Sequence, residues 1–391
     1  MRRLMLPLLL LLTVPVFPAS FAFGPEFPVS PQVPPRIQTH PAVTVVDGAI
    51  VAAWMERLDK GPYEVKLGHP GSAPVTVAQA YAPEWLDVVY GGHTVWVVWT
   101  DIGAMYVRRY TADFQPIDPE PFHDISRESF EGSNAQSAAA GDDSLIVTWD
   151  TYMTDDGYQV AATVIRGAGA ELIAVPVVTL STPAFQVENY SSQAAWNGSE
   201  FVVAWLAISG NQGNDPPAID SSTIAVRRMS RDGVPLDAAA FNAFQDHNYL
   251  PIGRLRLTAA GSRLVMVWNQ ADDRTLAGNY EQGQTITPHV LATSDYWLAS
   301  ASVAANGDLD VYWTIYAPDP GDSTLRYERF SPDFVSRGSS ISPPFLQPEL
   351  ELQLDSAVAG NTPVVAYSRL AGGQARVFLR TGSPMRRRVV R

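Results

Sequence analysis

A short apolar run that opens on a glycine turn and closes on an aromatic residue occurs seven times in this chain. The runs are Gly48 to Trp54, Gly92 to Trp99, Gly141 to Trp149, Gly198 to Trp205, Gly261 to Trp268, Gly307 to Trp313 and Gly360 to Tyr367. The steps between the closing aromatics are 45, 50, 56, 63, 45 and 54 residues. Self-similarity at such a period marks a repeat architecture, in which each repeat is one supersecondary unit.

The runs are rich in strand formers, as in Thr94-Val95-Trp96-Val97-Val98 and Phe201-Val202-Val203. They are too short for buried helices and continuous enough for strands covered on both faces. A second strand precedes each turn. Several of these are made of small residues, such as Ala138-Ala139-Ala140 and Ala299-Ser300-Ala301, which suits a crowded axis. A third strand follows, marked by Arg108-Arg109, Arg227-Arg228 and Arg329. Its repetition assigns these arginines to architecture. The matching segments Asp113 to Asp118 and Asp232 to Asp237 turn into a fourth strand. Four antiparallel strands in a repeat of roughly 50 residues is the geometry of a propeller blade. The expected fold is all-β: a single β-propeller of about seven four-stranded blades over residues 38–391.

The ends read differently. Arg2 and Arg3, an apolar stretch from Leu4 to Phe17, and the small residues Ser20 and Ala22 form the pattern of a secretory signal peptide over residues 1–22. Residues 23–37 carry Pro25, Pro28, Pro31, Pro34 and Pro35 and form a stiff extended segment. The last blade lacks an evident fourth strand, so the segment around Glu26 to Ile37 is expected to supply it. Its prolines are tolerable on an outer strand with a free edge. The competing donor is Arg387 to Arg391. The expected location is secreted or periplasmic, with no membrane span after signal cleavage, and the expected state is a monomer.

The segment from Ala195-Trp196-Asn197-Gly198-Ser199-Glu200 through Phe201-Val202-Val203-Ala204-Trp205, followed by Arg227 to Asp237, resembles repeats found in many large secreted bacterial proteins of propeller type. The resemblance implies export and a propeller over residues 38–383, and it carries no activity. The Ser-x-Asp-x-Gly-x-Thr-Trp turns of sialidases do not occur here.

Composition removes several functions. The net charge is −13, the wrong sign for a nucleic-acid surface. There are no cysteines and six histidines without paired metal-ligand spacing, so neither metal nor cofactor is expected. Antiparallel order places the second-to-third-strand turns and the blade-to-blade segments on one face of the disc. Insertions concentrate there, which makes it the expected working face. Its aromatic and polar residues are the candidate ligand-binding set: Trp85, Tyr190, Tyr249 and Trp297, with His123, Asp124, Asp246 and His247. Flat apolar rings beside carboxylates and amides suit a glycan or an exposed protein surface. The expected function is an exported non-catalytic binding or scaffold protein. The alternative is an exported polysaccharide hydrolase or lyase with its site at the mouth of the central channel. The two differ in whether acids and an arginine or histidine converge at that mouth.

Overall fold

The computed structural model describes residues 21–30, 36–58, 60–123, 133–153, 157–168, 171–181, 187–211, 218–246, 252–294, 296–316, 323–346 and 354–384. Among them there is no helix. Their strands form seven antiparallel sheets, each running outward from its first strand, in chain order in all but the last, whose outer strand comes from the N-terminal segment. The first strands are Arg36–Val46, Pro83–Gly91, Ser133–Gly141, Val187–Trp196, Ile252–Ala260, Trp297–Val303 and Leu354–Ala359. Each packs beside the first strand of the next sheet, and the last packs beside the first, so the ring is closed around one axis.

The repeated glycine makes the turn between first and second strands. Asp47 and Gly48 both have positive φ, at 49° and 84°, as do Gly92 and His93 at 58° and 62°. Such pairs match the twist of a two-residue hairpin. Gly92 is also required sterically, because a Cβ there would sit 1.5 Å from the carbonyl oxygen of Asp142 in the neighbouring blade's turn.

The repeated aromatic builds the core. Trp54, Trp99, Trp149, Trp205, Trp268, Trp313 and Tyr367 are all buried. There is no single core; the apolar residues form one layer at each blade interface. Alternate residues of a second strand serve opposite neighbours. Val203 and Trp205 pack with Ile146, Val160 and Val164 of blade three, whereas Val202, Ala204 and Leu206 pack with Leu264, Met266 and Trp268 of blade five. Each closing aromatic thus points back at the preceding blade.

The third-strand arginines are structural, as the repetition implies. Arg109 and Arg228 grip Asp118 and Asp237, at 2.7 and 2.6 Å, across the turn into the fourth strand. Arg108 and Arg227 donate to carbonyls of the preceding blade, Val77 at 2.7 Å and Leu180 at 3.2 Å. Arg329 is buried against Asp310, which accepts from Nε and Nη2 at 2.6 Å each. Blade two departs from the expected four strands. Its fourth strand is reduced to bridges from Val107 to Phe122 and from Tyr110 to Pro116.

The N-terminal segment closes the ring, starting earlier than the sequence suggests. Phe21–Phe23 and Phe27–Pro28 pair with the third strand of blade seven, Gln374–Pro384. Arg36 and Ile37 already belong to the first strand of blade one. Val29 is buried in the layer between blades seven and one, beside Trp54, Val364 and Val377. Burial pushes the Glu26 carboxyl up. Hydrogen bonds from Arg369 and Tyr367 and the charge of Arg380 outweigh it, and the group ends below the usual range. Residues 1–20 of the expected signal peptide, and the rival donor Arg387 to Arg391, lie outside the described residues. If cleavage follows Ala22, the pairs from Phe23 onward remain.

Two outcomes follow from this packing. Trp205→Ala is expected to cost about 3–5 kcal/mol of stability, the usual penalty for deleting a large core aromatic; urea titration checks it, and a loss below about 1 kcal/mol would contradict the interface assignment. Deleting residues 23–30 from the mature chain is expected to lower the thermal midpoint sharply and promote aggregation, because it leaves a bare strand edge on blade seven. An unchanged midpoint would mean another segment supplies the strand.

Candidate functional site

One position of the repeat faces the axis in six of the seven blades. It lies opposite the residue that precedes the closing aromatic. In blades two to seven it is Asp87, Ser137, Gln193, Arg256, Ser300 and Asp355, paired with Val98, Thr148, Ala204, Val267, Tyr312 and Ala366. All six line a central cavity of about 760 Å³. In blade one the place belongs to Ala42, which joins the apolar layer instead.

Five of these side chains latch their first strand to the next, whereas Gln193 donates to the carbonyl of Ser192 in its own strand. The Asp87 carboxylate accepts from the amide of Ala138 at 3.2 Å, and Ser137 Oγ from that of Ala194 at 3.2 Å. Arg256 donates to the Ala299 carbonyl at 2.8 Å. Ser300 and Ser356 share a hydroxyl contact at 2.8 Å, and Asp355 accepts from the Val43 amide at 2.7 Å. The second oxygen of each carboxylate is taken by its own neighbour, Val88 or Ser356, at 2.7–2.8 Å.

The two carboxyls are electrostatically strained. Burial raises both, and the charge of Asp355 raises Asp87 further, to well above the usual carboxylate range. The amide hydrogen bonds act the other way and lose. At the rim, burial lowers His40 to about 4, so its imidazole is neutral at pH 7.

Two further cavities adjoin the mouth on the face of the second-to-third-strand turns. One, of about 510 Å³, is lined by Gln136, Asp150, Tyr158, Glu188, Tyr190 and the Gly253–Arg256 strand start. Burial raises Asp150 there to about 6 against hydrogen bonds from Ser191 and Ser192, and raises Tyr190 to about 12. The other, of about 210 Å³, lies between blades five and six and is lined by Asn269, Gln270, Asp273, Tyr296 and Trp297. Arg254 lines all three cavities, so they meet across its side chain.

Of the residues singled out from sequence, Trp85 lines the central cavity, Tyr190 the second and Trp297 the third. Trp85 and Tyr190 are half-buried and also pack on interface layers, whereas Trp297 is 47% exposed. His123 and Asp246 line none of the three. His123 packs on Tyr106, 5.7 Å between ring centres, and Asp246 is buried and accepts from Gln270 Nε2. Asp124, His247 and Tyr249 lie outside the described residues. Sequence reasoning missed Asp87, Asp355, Arg254 and Arg256. Counting from each closing aromatic across the hairpin would have exposed the axial position, and it would have shown acids and an arginine among small residues.

The pH response is calculable in sign. The unfolded chain releases the Asp87 proton near its ordinary value of 3.8, whereas the folded chain holds it until about 8. Stability is therefore fully present below pH 4 as far as this group is concerned, and falls as pH climbs toward 8. Asp87→Asn keeps an acceptor for the Ala138 amide and removes the charge. Its thermal midpoint is expected to rise relative to that of the wild type as pH climbs from 4 to 8, by differential scanning fluorimetry. A difference between Asp87→Asn and wild type that stays constant or shrinks between pH 4 and 8 would contradict the assignment.

No family model matches the chain, and no curated protein does. Among solved structures, a puromycin-hydrolysing peptidase of Mycobacterium tuberculosis matches with 15% identity and a TM-score of 0.51, over 92% of this chain and 56% of its own. The chain thus spans about half of that peptidase. A fucose-specific lectin from Aleuria aurantia matches with 11% identity and a TM-score of 0.42, over 79% of this chain and 95% of the lectin. A Trypanosoma rangeli sialidase, in complex with sialic acid, matches with 11% identity and a TM-score of 0.44, over 88% and 54%. At these identities the likeness is one of fold, and with its seven closed sheets the chain is a seven-bladed β-propeller.

Proposed function

We propose that this chain is an exported, non-catalytic glycan-binding protein whose site is the mouth of the central channel. The observation that carries the reading is the meeting of three cavities at Arg254, each with aromatic side chains in its wall: Trp85, Tyr90 and Trp196 in the first, Tyr158 and Tyr190 in the second, Tyr296 and Trp297 in the third. Sugar rings need flat apolar surface with hydrogen-bonding groups at its edge. Gln136, Glu188, Asp273 and the arginines supply the edge. Export rests on the signal-peptide pattern of residues 1–22.

A second reading has its own support. Glu84, Asp87 and Asp355 converge with Arg256 and His40 in the channel wall, as a hydrolase or lyase would need. Binding is favoured because both oxygens of Asp87 and of Asp355 already accept main-chain amides, which ties these carboxyls to blade joints and away from a ligand.

A glycan microarray probed with the mature chain tests the proposal. Retention of a glycan class is expected, with at least a tenfold loss for Arg254→Ala. Capture of proteins but no glycan would overturn it. Release of new reducing ends or unsaturated products from the retained glycan, abolished by Asp87→Asn, would replace it with the enzyme reading.

A further inference from the structure

The cleft between blades five and six is built around an exposed indole on a fixed backbone. Tyr296 points inward, its ring 6.4 Å from that of Trp313 and its hydroxyl accepting from Arg326 at 3.0 Å. Leu298 is fully buried. Trp297 between them is 47% exposed. The Asn269 side chain holds the chain on both sides of it, donating to the Tyr296 carbonyl at 3.2 Å and accepting from the Leu298 amide at 2.8 Å. The backbone that carries the ring is thus fixed, with the indole partly open to solvent. The Arg254 guanidinium lies 5.2 Å from its centre.

The floor carries an unmet polar group. Gln270 is 5% exposed, and its Nε2 donates to Asp246, yet its Oε1 is buried without a hydrogen-bond partner. Leaving a buried acceptor unpaired is costly, and a ligand hydroxyl would satisfy it. Asp273, held at a positive φ of 62° in the turn, stands at the rim. The cleft has a volume of about 210 Å³. That is room enough for one pyranose ring.

The neighbouring cavities decide what that ring is attached to. Gly253 and Arg254 line both this cleft and the Tyr190 cavity, and Arg254 continues into the channel mouth. A ring lying on Trp297 is therefore separated from the Tyr190 cavity only by the Gly253–Arg254 segment.

We propose that the Trp297 cleft is a subsite for a single sugar ring of an oligosaccharide whose other rings lie in the channel mouth. The inference rests on the glycan-binding reading above and deepens it, because it makes the ligand a chain of several rings. Stacking on the indole supplies apolar contact, and the Gln270 and Asp273 oxygens accept ring hydroxyls.

The test is isothermal titration with free oligosaccharides of one to six units, taken from the class that the array retains. Wild type, Trp297→Ala and Trp297→Phe are compared, with thermal midpoints measured in parallel. Wild-type affinity is expected to rise with chain length and then level off. Trp297→Ala is expected to lose that gain, binding the longest chain about tenfold more weakly, while Trp297→Phe keeps most of it and both midpoints stay near wild type. Equal binding of the longest chain by wild type and Trp297→Ala would overturn the subsite and leave binding at the channel mouth standing. A large fall in the Trp297→Ala midpoint would make the residue a packing element and overturn it too. Retention of no glycan by the wild-type chain would remove the parent reading, and the subsite with it.

Discussion

Blade-to-blade burial is the constraint on which the rest depends. No sheet here has an apolar face of its own to fold over. Each second strand sends alternate residues to the two neighbouring blades, so every apolar layer belongs to a pair. A blade at the end of an open row would leave one such layer in water and one outer strand unpaired. Closure is therefore a condition of stability. The chain meets it by sending Phe27 and Val29 to the far end of the ring, where Val29 fills the layer shared by Trp54 and Val364. The Glu26 contacts with Arg369 and Tyr367 fix that segment from its polar side.

The same geometry makes the axis polar. First strands surround a central cavity that their small side chains leave open. Adjacent first strands pack side by side without joining in one sheet. The axial residue of one blade bonds the main chain of the next, as Asp87 does to Ala138 and Arg256 to Ala299. The residues that could give the channel its chemistry are thus also the residues that hold the blades in register. Asp87 and Asp355 show the consequence: their fixed positions in a buried wall raise their proton affinity.

Specificity then arises from departures from the repeat. Most axial positions are small or neutral. Gly253-Arg254-Leu255-Arg256 places two guanidinium groups at the start of blade five, where blades three and six carry serine at the axis. A repeat averages out its own sites, so the exceptions at equivalent positions are where a ligand would find chemistry.

The sequence by itself determined the class of fold, the number of blades and the burial of the closing aromatics. The glycine turn and the two-sided apolar strand are local requirements, repeated often enough to be read without neighbours. It also indicated that the N-terminal segment closes the ring, because the seventh repeat is visibly one strand short. Only the tertiary structure decided which polar residues share a space. Trp85, Tyr190 and Trp297 belong to different blades, and their cavities meet only because Arg254 spans them. His123 looked equivalent to them by its place between blades, but its ring rests on Tyr106, away from the axis. Distance along the chain carries the period of a propeller, whereas convergence at its centre depends on radius and side-chain direction, which the period leaves open.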